Sequence, residues 1–161
     1  MTSWQWQQVV AVEPDRRNCR KLRALAEELA QRGLAVEVHE GGIWDAAGEL
    51  SFSDSGGRQS TFIGASKKVV PVTTIDIVAS GRPISYIKMD VEGAEVQALT
   101  GGVRTITQYK PKLFVAAYHY DVDLFRLPQL IWQLVPDYKV YLRKHPYVPA
   151  WELNFVAVAS R

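Results

Sequence analysis

The stretch Lys88-Met89-Asp90-Val91-Glu92-Gly93-Ala94-Glu95 gathers three carboxylates where an apolar strand passes into a helix. Lys88 and Asp90 share one face of that strand by its two-residue period, so the lysine can partner a carboxylate there. Gly93 permits a positive φ or a close backbone approach. Glu92 and Glu95 are accounted for by the helix start, because anions stabilise a helix N-terminus by about 0.3–1 kcal/mol each. Asp90 is not: a buried acid at a strand end needs a partner, and a ligand amine or hydroxyl is the natural one.

His119 follows a later strand and is flanked by Tyr118 and Tyr120. Its imidazole titrates near neutrality and suits removal of a proton from a substrate hydroxyl, which a positioned base accelerates ~10²–10⁴-fold. The plainer alternative is a hydrogen-bonded histidine packed among aromatics. His39 and His145 have no comparable surroundings and read as structural. Asp90, Glu92 and His119 have the donor types of a Mg²⁺ site, but their spacing is not diagnostic, and the expectation is that no metal is bound. Glu13 ends the first strand, where an acid can accept both hydroxyls of an adenosine ribose, a chemistry that serves NAD and S-adenosylmethionine equally. The plainer alternative there is a carboxylate drawn to the next helix N-terminus. Glu40 closes the following strand. In open α/β sheets, ligands bind outside the carboxyl ends of the strands, and all these residues fall at such ends.

The elements that must hold them follow from hydrophobic spacing. Val9 to Val12 is a short β-branched run, apolar on both faces as in a parallel sheet. From Asp15 to Arg32, Leu22, Leu25, Ala26 and Leu29 recur at helical spacing, with Gly33 as the stop. Leu34 to His39 is the second strand, joined to the first by a right-handed crossover. Between Gly41 and Pro71 the chain is rich in Gly, Ser and Asp, with a hairpin between Leu50-Ser51-Phe52 and Val69 to Val72 and its tip at Asp54 to Ser60. A short helix from Thr73 ends near Gly81. Ile84 to Met89 forms the third sheet strand, and a helix from near Gly93 is broken at Gly101-Gly102 and resumes through Ile106. Leu113 to Ala117 is the fourth strand, and Asp123 to Leu134 a helix that Pro128 should kink or start late. Lys139 to Arg143 and Leu153 to Ala159 are joined by a turn too short for a helical crossover, so they must be antiparallel.

The 161 residues carry 19 Lys and Arg against 17 Asp and Glu, a net charge of +2. No basic cluster goes beyond the pairs Arg16-Arg17, Lys67-Lys68 and Arg143-Lys144, so neither nucleic acid nor an anionic membrane is an expected partner. One cysteine, Cys19, and three histidines exclude an internal disulfide and offer no zinc spacing. No apolar run approaches the ~20 residues of a membrane span, and the first residues are not a secretory leader. The expected location is the cytoplasm.

Val10-Ala11-Val12-Glu13-Pro14-Asp15, Val72-Thr73-Thr74-Ile75-Asp76 and above all Ile87 to Glu95 with Leu99 and Gly101 resemble the FkbM family of S-adenosylmethionine-dependent methyltransferases. Tyr118-His119, Asp123-Leu124-Phe125, Leu127-Pro128 and Tyr138 to Arg143 are similar to members of that family too, so the likeness runs from Val9 to Ala159. The resemblance implies an α/β, Rossmann-like class I methyltransferase sheet, mostly parallel with a C-terminal antiparallel hairpin. It also implies methyl transfer from S-adenosylmethionine to a hydroxyl of a sugar, glycan or small natural product. By position, Glu13 would hold the cofactor ribose, and Gly41, Gly42 and Ile43 would lie beside the adenine. Asp90 would sit near the methionine end. Glu92, Tyr118 and Tyr120 would shape the acceptor pocket, and His119 would face the acceptor as base, with Asp90 organising the site.

The same family places a strand, a glycine-rich loop and a helix ahead of the Val-Glu-Pro strand, whereas eight residues without a glycine precede Val9 here. Residues 1–161 therefore read as one methyltransferase domain lacking its first strand. That strand would lie between Val9 to Val12 and Ile84 to Met89, leaving two edges to pair with each other, with another chain or with nothing. Such edges make self-association an expectation. The alternative function is a non-catalytic methyltransferase-like binding or assembly module. An NAD-dependent enzyme is disfavoured by the closing antiparallel strands.

Overall fold

The computed structural model describes residues 8–52, 68–144 and 152–160. Strands β1 (Gln8–Glu13) and β2 (Ala35–Glu40) pair in parallel from Gln8↔Ala35 to Glu13↔Glu40, and helix α1 (Arg16–Ala30) crosses between them. The Asp15 carboxylate caps α1 by accepting the Arg17 and Asn18 N–H groups at 2.8 and 2.9 Å. Leu22, Ala26 and Leu29 are half-buried, whereas Leu25 is 48% exposed, so the apolar stripe is narrower than its spacing predicts. Cys19 is buried, and its thiol donates to the Glu13 carbonyl at 3.0 Å, tying the helix to the end of β1.

A second sheet has the order β3 (Gly42–Ile43), β5 (Lys68–Thr73), β4 (Gly48–Phe52). The expected hairpin is present as the antiparallel β4–β5 pair with Leu50 opposite Val70. Its tip, Asp54 to Ser60, lies outside the described residues. The two-residue strand β3, parallel to β5, is too short to show in the sequence pattern. Helix α2 (Ile75–Ala79) follows, capped by the Thr74 hydroxyl, which accepts the Ile77 N–H at 3.1 Å.

The third sheet carries most of the core. Its order is β6 (Tyr86–Met89), β7 (Lys112–Ala116), β9 (Leu153–Ala159), β8 (Tyr138–Lys144), with β6 and β7 parallel and the remaining pairs antiparallel. Helices α3 (Glu95–Thr100), α4 (Val103–Tyr109) and α5 (Asp123–Leu134) belong to this half of the chain, and Leu99, Ile106, Leu113, Val115, Leu127 and Ile131 are fully buried in one cluster. At the break between α3 and α4, Gly101 leaves room for the Trp44 carbonyl oxygen, which a Cβ there would meet at 2.1 Å. The Asp76 carboxylate then caps α4 from outside, accepting the Arg104 and Thr105 N–H groups at 3.1 and 2.7 Å. Pro128 lies inside α5, so the late start it pointed to is not taken. Residues 145–151, between β8 and β9, lie outside the described residues, as does His145.

The largest departure from expectation is the division into three small sheets, one parallel and two mixed, in place of one mostly parallel sheet. Among the described residues β1 is hydrogen-bonded to β2 alone and β6 to β7 alone, so the two strands flanking the expected central position do not pair with each other. No helix among the described residues is long and apolar enough to cross a membrane.

Candidate active site

Because β6 and β7 run in parallel with Met89 opposite Val115, the segments leaving their carboxyl ends emerge side by side. Beyond β6, Glu92 (φ 54°) and Gly93 (φ 92°) both take the left-handed conformation, turning the chain sharply into α3. Positive φ is costly for glutamate and is held in place here by the surrounding contacts. A Cβ on Gly93 would meet the Tyr120 ring 2.6 Å away, so the glycine also lets that ring close over the turn. Glu95 opens α3 and folds back, accepting the Val91 N–H at 3.1 Å.

Beyond β7, His119 is inserted among these acids. Its Nδ1 lies 3.0 Å from Glu95 Oε1, and its Nε2 lies 3.3 Å from Glu92 Oε2 and 3.6 Å from Asp90 Oδ1. Glu95 is 1% exposed and the His119 side chain 12%. Despite these distances neither ring nitrogen makes a well-directed hydrogen bond, and Glu95 Oε2 and Asp123 Oδ2 are likewise buried without a partner. The contacts of His119 are thus charge contacts. Burial alone would lower its pKa, but the adjoining Glu95 carboxylate, with the charges of Glu92 and Asp90, outweighs it and holds the imidazole above its ordinary value. Burial raises Glu92, against the pull of His119 and with the push of Asp90. Asp123 is raised by burial and then by the Glu95 charge.

The Tyr118 hydroxyl donates to Asp90 Oδ1 at 2.8 Å, and its ring lies 4.4 Å from the His119 ring, centroid to centroid. Burial and this bond to a carboxylate raise the Tyr118 pKa. The expected Lys88–Asp90 partnership is replaced by this tyrosine. Lys88 instead lines, with Tyr86, Asp90, Phe114, Tyr118 and Asn154, a cavity of about 350 Å³ beside the cluster.

The other candidate residues collect at the end of β1. The Glu13 backbone carbonyl accepts the Gly41 N–H at 3.0 Å, while its carboxylate accepts the Asp15 N–H at 2.8 Å. The plainer role weighed for Glu13, support of the helix start, is therefore present. Gly41 and Gly42 are buried, and a Cβ on Gly41 would lie 2.8 Å from the Pro71 carbonyl oxygen. Ile43 packs against the main core. Gly41 lines a second cavity of about 200 Å³ with Val12, His39, Glu40, Val72 and Thr73. Glu40 is bound outward by Arg16 and Arg23 at 3.0 and 3.1 Å, which hold its carboxyl below the usual range, the bond to Arg23 first.

Residues 2–148 match the family described as "Methyltransferase FkbM domain". The chain belongs to that family. The fold is also similar to the crystal structure of methyltransferase FkbM from Methylobacillus flagellatus KT, with a TM-score of 0.76 and 29% sequence identity over 97% of this chain. The chain spans 38% of the length of that FkbM protein. A search among curated proteins gives no significant match.

Within this FkbM domain, the structure brings Asp90, Glu92, Tyr118 and His119 into one cluster and seats Tyr120 on its turn. Glu13, Gly41 and Gly42 are grouped separately at the end of β1. Two members of the cluster, Glu95 and Asp123, do not stand out in the sequence as site residues. Both stand at the first position of a helix, where a carboxylate already has an ordinary explanation. The signal that could have exposed Glu95 is its four-residue spacing from Val91 across Gly93, which folds the side chain back toward the strand end.

Proposed function

We propose that this chain is the part of an S-adenosylmethionine-dependent O-methyltransferase that holds the acceptor and the adenosyl group. The observation that carries the reading is the convergence of Asp90, Glu92, Tyr118 and His119 beyond the carboxyl ends of β6 and β7, beside a cavity that Asp90 and Tyr118 line, in a chain of the FkbM family. Methyl transfer is an in-line displacement, for which aligning the sulfonium, the methyl carbon and the acceptor oxygen is the main contribution of the protein, up to an effective molarity of ~10⁵–10⁸ M. Asp90 faces the sulfonium end, Glu13 takes the ribose hydroxyls, and Gly41, Gly42 and Ile43 border the adenine. The acceptor is a hydroxyl of a sugar, glycan or small natural product, bordered by Glu92, Tyr118 and Tyr120. Its proton passes to His119 or Asp90. The reaction is proposed to take place in the cytoplasm.

Transfer of an isotope-labelled methyl group from S-adenosylmethionine to a panel of sugar and small-molecule hydroxyls tests this reading. We expect His119→Ala to lower turnover at least ~10²-fold. Undiminished turnover in that variant removes the base role. One observation favours a second reading, a non-catalytic binding or assembly module: among the described residues, β1 and β6 are each paired on one side only. Calorimetry with S-adenosylhomocysteine separates the two, since a module that has lost its chemistry with its cofactor takes up none.

A further inference from the structure

The cluster around His119 is more acidic than an acceptor base requires. Asp90, Glu92, Glu95 and Asp123 surround one imidazole, and two of the four, Glu95 and Asp123, are almost wholly buried, at 1% and 3% exposure. Each of these two leaves one carboxylate oxygen without any hydrogen-bond partner, and both His119 nitrogens lack a directed one. Buried carboxylates are costly unless paired or bound to a cation. Asp90, Glu95 and His119 each offer a donor atom, and the three atoms lie within 4.8 Å of one another.

We propose that Asp90, Glu95 and His119 bind a divalent first-row cation, with Glu92 beside them. The distances sort the roles. One donor atom each from Asp90, Glu95 and His119 lies within 4.8 Å of the other two, a spread one ion can bridge with bonds of nearly ordinary length, and Nε2 faces Asp90 at 3.6 Å and Glu92 at 3.3 Å. Glu95 Oε1 lies 3.0 Å from Nδ1, and Glu95 Oε2 is buried without a partner, the oxygen an ion would satisfy. Tyr118 holds Asp90 in place through its hydroxyl. One imidazole with several carboxylates is a mixed donor set that suits Mn²⁺, whereas the soft thiolate ligands that select Cu(I) are absent from the cluster. The sequence points away from a metal here because spacing along the chain does not show that residues 90, 95 and 119 converge.

The inference rests on the proposed methyl transfer only for its use, because the ion would lie beside the acceptor oxygen. Cation and proton compete for Nε2. In the ion-free protein the ring is open to take the acceptor proton, as proposed above; with an ion bound it would be a ligand, and the positive charge would favour loss of that proton to solvent.

The test is titration of the chelator-treated full chain with Mn²⁺, followed by the loss of the free-ion paramagnetic resonance signal, with neither S-adenosylmethionine nor acceptor present. Saturable one-to-one binding is expected. Asp90→Asn, Glu95→Gln and His119→Ala should each weaken it at least ~10²-fold. Glu28→Gln, in an exposed ion pair on α1, should leave it unchanged. Asp90 is the partly exposed member, so its variant keeps the test sound if His119→Ala loses the fold, which near-ultraviolet circular dichroism reports. Absence of saturable binding in the folded chain, or binding that Asp90→Asn leaves intact, overturns the site. Methyl transfer is measured separately, so Mn²⁺ binding without turnover, or turnover without Mn²⁺ binding, distinguishes failure of one reading from failure of the other.

Discussion

Replacing Gly93 by alanine should impose two separable penalties. The first is conformational: at φ 92° an L-residue pays about 1–2 kcal/mol for the left-handed backbone. The second is steric, because the new Cβ would lie 2.6 Å from Tyr120 Cε2 and 2.9 Å from its hydroxyl. Gly33 supplies the control, since it has a similar φ of 80° and a Cβ there would meet nothing within 4 Å. Gly33→Ala should therefore show the backbone cost alone, a fall in Tm of ~2–8 °C for a domain of this size. Gly93→Ala should fall further, and the excess should disappear when Tyr120 is also replaced by alanine. In a double-mutant cycle read from urea denaturation, that is a coupling of about 0.5–3 kcal/mol between positions 93 and 120. If Gly93→Ala matches Gly33→Ala and the cycle shows no coupling, the close approach of Tyr120 to the turn does not exist in solution, and the geometry of the acceptor side must be redrawn.

Three further outcomes can be checked on the same chain. Asp76→Ala removes the carboxylate that receives the Arg104 and Thr105 N–H groups, and should lower stability by about 0.5–2 kcal/mol in urea denaturation. Leu127→Ala leaves a cavity in the fully buried cluster and should cost about 2–5 kcal/mol, measured the same way. Glu37 is held below the usual carboxylate range by its bond to Arg82 and then by His39. Its contribution is present above about pH 4.3, the unfolded carboxyl value, and is lost as the pH falls through its lower folded value. The stability gap between wild type and Glu37→Gln should thus close as the pH is lowered from about 6 to about 3, and should be small throughout because the pair is exposed.

What could be read from the sequence was what depends on local pattern. The β1–α1–β2 crossover, the β4–β5 hairpin, the α3–α4 break at Gly101-Gly102 and the closing antiparallel pair each follow from periodicity, a capping residue or a glycine. The two-residue strand β3 is too short to carry a period. The division into three sheets depends on which edges meet, and no spacing along one strand reports that. For the site, Asp90 and His119 were visible because each lies beyond a strand end. Glu95 was masked by its helix-start position. Its burial against the imidazole depends on the turn at Glu92 and Gly93, where a glutamate in the left-handed region is something local preference argues against.

That turn is held from a distance. The Gly41 N–H bonds the Glu13 carbonyl at the end of β1, and Gly42 begins β3, which leads to Trp44. The Trp44 N–H bonds the Thr73 carbonyl at 2.8 Å, and the Trp44 carbonyl fills the space beside Gly101 at the far end of α3. The Asp76 N–H in turn bonds the Gly101 carbonyl at 3.0 Å. The six-residue helix α3 that carries Glu95 is thereby fixed at its carboxyl end by backbone contacts from β3 and α2, and at its amino end by the Glu95–Val91 bond and His119. A short helix has little stability of its own and takes its position from such contacts. The residues assigned to the adenosyl end and those assigned to the acceptor end are therefore joined through Trp44 and Gly101. A side chain at position 101 should disturb the His119 cluster without touching it: Gly101→Ala should weaken Mn²⁺ binding as well as stability, whereas Leu127→Ala, which alters packing against α5, should reduce stability with a smaller loss of binding.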